Sequence, residues 1–147
     1  MPASLRACAF AALDTATLYA LLRLRVDVFV VEQACAYPEL DGRDTETATR
    51  HLWTADGDMP TAYARVLVEP DGTRRIGRVC TAAAHRGAGL AGRLVEEALR
   101  LAGGNPVALE AQTHLQGWYE RFGFAVAGPA YVDDGIPHVP MRRSAAR

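Results

Sequence analysis

Apolar and polar residues change their period several times along this chain, and each change marks an element. Ser4 to Phe10 is short and apolar and predicts a first strand. Asp14 is suited to cap a helix. After it Leu18, Leu22, Val26 and Phe29 recur at helical spacing, Arg23 and Asp27 lie on another face, and the run Val28 to Val31 closes the helix. Residues 32 to 49 are polar and without period, which predicts a long loop, and long loops in compact domains are often functional. His51 to Thr54, Thr61 to Glu69 and Arg74 to Thr81 read as three strands of an antiparallel meander. Turns at Asp56-Gly57-Asp58 and Pro70-Asp71-Gly72-Thr73 separate them.

The best-patterned helix comes next. Leu90, Leu94, Ala98 and Leu101 form one apolar stripe, and Arg93/Glu97 and Glu96/Arg100 are spaced to pair on the other side. Gly103-Gly104-Asn105-Pro106 stops it. Val107 to Gln112 alternates, with Val107, Leu109 and Ala111 on one face and Glu110 and Gln112 on the other. Strand, helix and strand over residues 76 to 112 predict a parallel pair with a right-handed crossover. A shorter helix carries Leu115, Trp118, Tyr119 and Phe122 and ends at Gly123. Phe124 to Ala127 reads as a strand, Gly128 to Pro137 as a turn-rich loop, and His138 to Arg142 as a last edge strand. No repeat or linker divides the chain. The expectation is one α+β domain over residues 1–147: a mixed sheet with an antiparallel N-terminal meander, a central β-α-β unit, and a C-terminal helix plus strands.

Composition narrows the function classes. The chain has 147 residues, half of them apolar, which is enough for a core and argues against disorder. A net charge of −1 with interspersed signs argues against a nucleic-acid partner. All 16 basic residues are arginine, so the protein offers no lysine of its own to acylate. Cys8, Cys35 and Cys80 are odd in number and unrelated in spacing, so neither a disulfide framework nor a metal site is expected. Cys80, in an apolar run, reads as an inert core thiol. No basic-then-apolar leader and no apolar run near 18 residues is present. A soluble cytoplasmic protein without a membrane partner is expected; the oligomeric state, a homodimer included, is left open.

Chemistry concentrates between residues 76 and 94. An apolar strand ends in small residues, then Arg86, Gly87, Gly89 and Gly92 lead into the patterned helix. A strand feeding a glycine-rich turn at a helix start is suited to hold phosphate. Backbone N–H groups point outward, the helix dipole favours an anion, and glycine permits close approach. Three glycines in six residues cost an ordered turn entropy, which a ligand explains better than turning alone. No Gly-Lys-Ser/Thr follows, and no G-x-G-x-x-G with an acidic ribose reader is present.

The segment Arg86-x-x-Gly89-x-Ala91 resembles the pyrophosphate motif of the GCN5-related N-acetyltransferases, which hold acetyl-CoA. Tyr119-Glu120-Arg121-Phe122-Gly123-Phe124 resembles that family's Tyr-x-x-hydrophobic-Gly-Phe segment. Leu24 to Gln33, Tyr37, Asp41, Asp44, His51-Leu52 and Asp134-Gly135-Ile136-Pro137-His138 are similar to the ElaA-like subfamily. The resemblance implies an acetyl-CoA-dependent N-acyltransferase without a metal. It places Val79, Cys80 and Thr81 on the pantetheine and thioester, and Arg86, Gly87, Ala88, Gly89, Leu90 and Ala91 on the pyrophosphate. It gives Tyr119 the part of the acid that protonates the departing thiolate, against the reading of a buried core tyrosine.

The general base is open. The strand Arg74 to Thr81, where some family members place one, has no carboxylate; Glu110 and His138 are the candidates, beside a water chain with no single base. Glu32, Asp41, Asp44 and His51 are candidates for binding the acceptor. Glu32, Glu39, Asp41, Asp44 and Glu46 in one loop and Asp133 and Asp134 in another, offset by Arg43 alone, point to a small amine as that acceptor. No cysteine has a base beside it in sequence, which favours direct transfer over an acyl-enzyme. Two other readings stay open. An acyl-homoserine-lactone-synthase-like enzyme is faintly resembled over Arg25 to Asp44, but the phosphate turn argues against it. A catalytically silent CoA-binding module is opposed by Tyr119 and the same turn.

Overall fold

The structure, a computed structural model, describes residues 4–145. Eight strands form one sheet: β1 (Ser4–Cys8), β2 (Arg50–Asp56), β3 (Met59–Val68), β4 (Arg74–Thr81), β5 (Val107–Gln112), β6 (Ala125–Val126), β7 (Tyr131–Asp133) and β8 (Ile136–Arg143). Three helices accompany them: α1 (Thr15–Val26), α2 (Leu90–Ala102) and α3 (Gln116–Glu120). The spatial order is β1-β2-β3-β4-β5-β8-β6, with β7 pairing β8 beside β6. All pairs are antiparallel except β4 with β5.

Alternation along the strands sends side chains to two faces. Ala62, Ala64 and Val66 of β3, Ile76 of β4 and Val107, Leu109 and Ala111 of β5 pack with α2. On the opposite face Tyr63 and Cys80 pack with Leu21, Leu24 and Val28 from the α1 side. The buried stripe of α2 is Leu90, Leu94, Val95, Ala98 and Ala102; Leu101, expected within it, is exposed. Arg100 pairs with Glu97 one turn back rather than with Glu96.

Four further expectations change. The run after Val26 does not continue α1 but widens into a π-turn, Asp27–Glu32, in which the Gln33 N–H reaches the Val28 carbonyl and that of Cys35 reaches Val30. The innermost face of α1 is Leu21, Leu24 and Arg25, not the stripe through Leu18 and Leu22; a charged residue lies on it, so apolar spacing alone does not mark it. The segment 128 to 137 holds β7 and a two-residue hairpin turn. Asp134 and Gly135 both adopt positive φ there, 49° and 79°. Finally, β8 is not an edge. It pairs with all six residues of β5 and carries β6 and β7 on its other side.

Candidate functional site

A parallel pair opens between the two central strands. β4 and β5 are in register only at Arg74–Val107 and Arg75–Ala108, after which they part. β5 remains paired to β8, and β4 to β3, so a wedge lies between Ile76–Thr81 and Leu109–Gln112. β4 also carries a bulge: Arg65 faces Gly77 while Tyr63 faces Cys80, so Arg78 and Val79 together oppose Ala64. Arg78 sits at φ 55°, which costs a non-glycine residue roughly 1 kcal/mol. Bulges bend a strand, and this one turns β4 where the wedge opens. The wedge belongs to a cavity of about 870 Å³ that runs from the glycine turn at residues 86 to 92 to the far end of β4, where Arg75 lies. At 3.3 Å per residue that wall is about 20 Å long.

At the wide end stands the glycine turn. Gly87 and Gly89 adopt φ 88° and 74° and meet no neighbour, so the turn is open. Gly89 precedes α2 and no side chain caps it; among the described residues the N–H groups of Gly89 through Gly92 find no acceptor, and the first helical bond runs from Arg93 N–H to the Gly89 carbonyl. These are the orphan donors of a helix N-terminus, and they line the cavity. Arg86 stands beside them. Its Nε donates to the Thr81 carbonyl (3.1 Å) and its Nη2 to Glu32 Oε1 (2.7 Å). Val79, Cys80, Thr81, Arg86, Gly87, Gly89, Leu90 and Ala91 all line the cavity; Ala88 does not.

Tyr119 is 6% exposed and forms part of the cavity wall. Edge-to-face contacts with Trp118 and Phe124, at 4.8 and 6.1 Å between centroids, fix its ring. Its hydroxyl has no hydrogen-bond partner among the described residues and is not sealed off from the cavity. Burial pushes its pKa up to about 12, so it is a neutral donor at pH 7. Burial also pushes the Cys80 thiol up to about 12, which keeps it unreactive.

Glu110 and His138 reach the cavity from adjacent strands, and Tyr131 joins them. The Tyr131 hydroxyl donates to Glu110 Oε2 (3.0 Å) and its ring stacks on His138 at 5.8 Å and 19°. His138 Nδ1 lies 2.8 Å from the Ile136 carbonyl. A carbonyl only accepts, so the proton is on Nδ1, and in the neutral ring Nε2 keeps its lone pair.

The acceptor-binding candidates divide. Glu32 lines the cavity, paired to Arg86; Asp41, Asp44 and His51 do not line it. Their loop is not an acidic mouth open to an amine but one side of a buried ion network. Arg25, 1% exposed, donates from Nε to Glu39 (2.7 Å) and from Nη1 to Asp44 (2.8 Å). Arg65 grips Asp41 through both terminal nitrogens (2.9 and 2.8 Å) and reaches Asp44 at 3.2 Å. Arg78 donates to Glu39 (2.9 Å), and its guanidinium lies over the Tyr37 ring, whose hydroxyl also binds Glu39. Three arginines from α1, β3 and β4 thus neutralise Glu39, Asp41 and Asp44 and staple the loop to the fold. Arg43, expected to offset the loop's carboxylates alone, pairs with Glu46 of that set and with Glu69 just past β3, and leaves Glu39, Asp41 and Asp44 to the other three arginines. His51 is buried beneath the network: Nε2 donates to the Asp44 carbonyl (2.9 Å), so Nδ1 accepts from the Tyr63 hydroxyl (2.6 Å). Burial holds its pKa below the ordinary value.

Sequence reasoning missed Tyr131, Arg75, Gln33 and Gln112 as parts of the wall. A signal for Tyr131 was present: Asp-Gly between short runs is the strongest local mark of a tight hairpin, and Asp134-Gly135 is one. Among the described residues no helix is long and apolar enough to cross a membrane.

The sequence matches the acetyltransferase (GNAT) domain family over residues 24–145. It is 50% identical over 136 residues to a UPF0039 protein of Mycobacterium tuberculosis, covering 89% of this chain and 86% of that protein. The fold superposes on an acyl-CoA N-acyltransferase from Pseudomonas aeruginosa with a TM-score of 0.93 at 43% identity, over 97% of this chain and all of the other. Escherichia coli ElaA gives 0.92 at 38% identity with the same coverage.

Proposed function

This chain belongs to the GNAT acetyltransferase family, in its ElaA-like branch, and from that premise we propose that it moves an acetyl group from acetyl-CoA directly to the amine of a small acceptor. The observation that carries the reading is the continuity of one cavity. An uncapped helix N-terminus with free N–H groups leads into an unpaired strand edge, and the edge passes Tyr119 on its way to Glu110 and His138. The pyrophosphate takes the N–H groups of residues 89 to 92, displacing Glu32 from Arg86. The pantetheine lies along Val79 to Thr81, where an added chain finds backbone groups that β5 has left free.

The acceptor amine attacks the thioester carbonyl carbon, the C–S bond breaks, and the sulfur leaves as a thiolate. Tyr119 lies about 3–4 pKa units above an ordinary thiol. It therefore serves first as a hydrogen-bond donor to the developing charge and passes its proton as the bond breaks. Glu110 holds the ammonium. His138 Nε2 takes one proton from it, which frees the lone pair for attack, passes that proton to solvent, and then takes the second proton from the tetrahedral adduct. Solvent receives both protons from His138 and returns one to Tyr119, so one proton is released per turnover. Cys80, kept as a thiol, takes no part.

Calorimetric titration with CoA and a thiol-release assay against plain amines test this. Ala91→Glu puts a carboxylate in the first turn of α2, where it favours the helix but repels a pyrophosphate. CoA affinity is expected to fall by roughly tenfold or more, about 1.4 kcal/mol, with the melting temperature kept or raised. Unchanged affinity would remove the turn from the site.

A further inference from the structure

Four arginines line the cavity: Arg65, Arg75, Arg78 and Arg86. Three are tied to carboxylates at 2.7–2.9 Å. Arg75 is not. Its closest pairings are Nη1 to Glu110 Oε1 at 3.4 Å and Nε to Glu69 at 3.7 Å, with one third of the side chain exposed. Loose, solvated pairs of this kind contribute little and leave most of the five donors of a guanidinium available. Glu69 is itself engaged by Arg43 at 2.8 Å, and the Glu110 carboxylate is held on its other oxygen by Tyr131. A second unmet donor lies on the same stretch of wall. Arg65 Nε is the single buried side-chain polar atom among the described residues without a partner, and Arg65 and Leu67 of β3 stand opposite Gly77 and Arg75 of β4. This end of the cavity therefore presents a half-free cation beside an anion, about 20 Å from the phosphate turn along β4.

We propose that Arg75 and Glu110 together read a zwitterion, so that the acceptor is an amine carrying its carboxylate one carbon away, as an α-amino acid does. The ammonium sits on Glu110 and the carboxylate on Arg75, whose fork matches a carboxylate in bidentate fashion. The 3.4 Å separation of the two side chains suits a ligand whose charges are adjacent, and a plain amine would leave most of the guanidinium's donors unmet. The inference rests on the proposed acyl transfer to an amine and deepens it.

The test uses the full chain with acetyl-CoA and matched pairs of acceptors: alanine, leucine, methionine and phenylalanine against their primary amides, with tyramine and putrescine as plain amines. The amide's amine loses its proton more readily than the acid's, so a preference for the acid cannot arise from the amine. The acids are expected to exceed their amides in kcat/KM by roughly tenfold or more. Arg75→Gln is expected to collapse that ratio towards one by raising the KM of the acids, while Arg75→Lys restores part of it. A CoA titration of each variant reports that it is folded. Equal use of acids and amides, or an unchanged ratio in Arg75→Gln, overturns the proposal. Thiol release with plain amines but with none of the pairs overturns it and leaves the amine reading standing. No release with any acceptor overturns both.

Discussion

Removing the charge of Arg25 should destabilise this protein more than almost any other single change on α1. Arg25→Met keeps an unbranched side chain of similar bulk, so the effect reports the ion network rather than a cavity. Arg25 is 1% exposed and donates to Glu39 and Asp44, both buried, so solvent screening does not discount the interaction. Breaking a buried pair from one side costs about 3–5 kcal/mol, because the partner charge stays buried. Here each carboxylate keeps help: Glu39 retains Arg78 and Tyr37, and Asp44 retains Arg65. The lower end, about 3 kcal/mol, is therefore expected. A chain of this size loses about 2–4 °C per kcal/mol, so the melting temperature should fall by about 6–12 °C. Urea unfolding at pH 7 measures the free energy directly, and trypsin should cut faster after Arg43 as the loop loosens. Adding Asp44→Asn to Arg25→Met should recover part of the loss, since Arg65 and Arg78 then face Asp41 and Glu39 with no charge in excess. A loss below about 1 kcal/mol for Arg25→Met alone would refute the account of the loop as an ion-stapled element.

Tyr119→Phe keeps the ring and its aromatic contacts and is expected to lower kcat by about 10²–10⁴-fold at unchanged CoA affinity; wild-type turnover under chemistry-limited conditions would return Tyr119 to the core. His138→Gln should lower kcat, whereas Glu110→Gln should act mainly on the acceptor KM; the reverse pattern would exchange their roles. Stability should fall with pH in two stages. His51 is neutral in the fold with its pKa held down by burial, so the unfolded chain gains a proton first, and stability declines as pH drops through about 6.5. Asp41 and Asp44 are held below the usual carboxylate range against their burial by Arg65 and Arg25, so their contribution is complete above about 4 and is lost below it. Urea midpoints that do not change between pH 7 and 5 would contradict the first stage.

The sequence by itself determined what depends on neighbours along the chain. The apolar period of 90 to 102, the glycines that need positive φ at 87 and 89, and the alternation of 107 to 112 are local physics, and they locate the glycine turn and its helix without coordinates. Family likeness added Tyr119, whose cavity position its own pattern could not separate from a core ring. Only the tertiary structure decided the fate of the charges. Glu39 and Asp44 read as part of an acidic mouth for an amine because a carboxylate in a polar loop carries the same pattern whether it faces a ligand or is neutralised by an arginine 14 to 19 residues away. For the same reason Arg25 could not be placed inside. The parting of β4 from β5 and the insertion of β8 beside β5 depend on pairings between distant segments. They bring Glu110 to Tyr131, Tyr131 to His138, and Arg75 to the far end of the cavity. Periodicity reports which way a side chain faces. Which partner meets it there depends on contacts between residues far apart in sequence, and only the folded chain sets those.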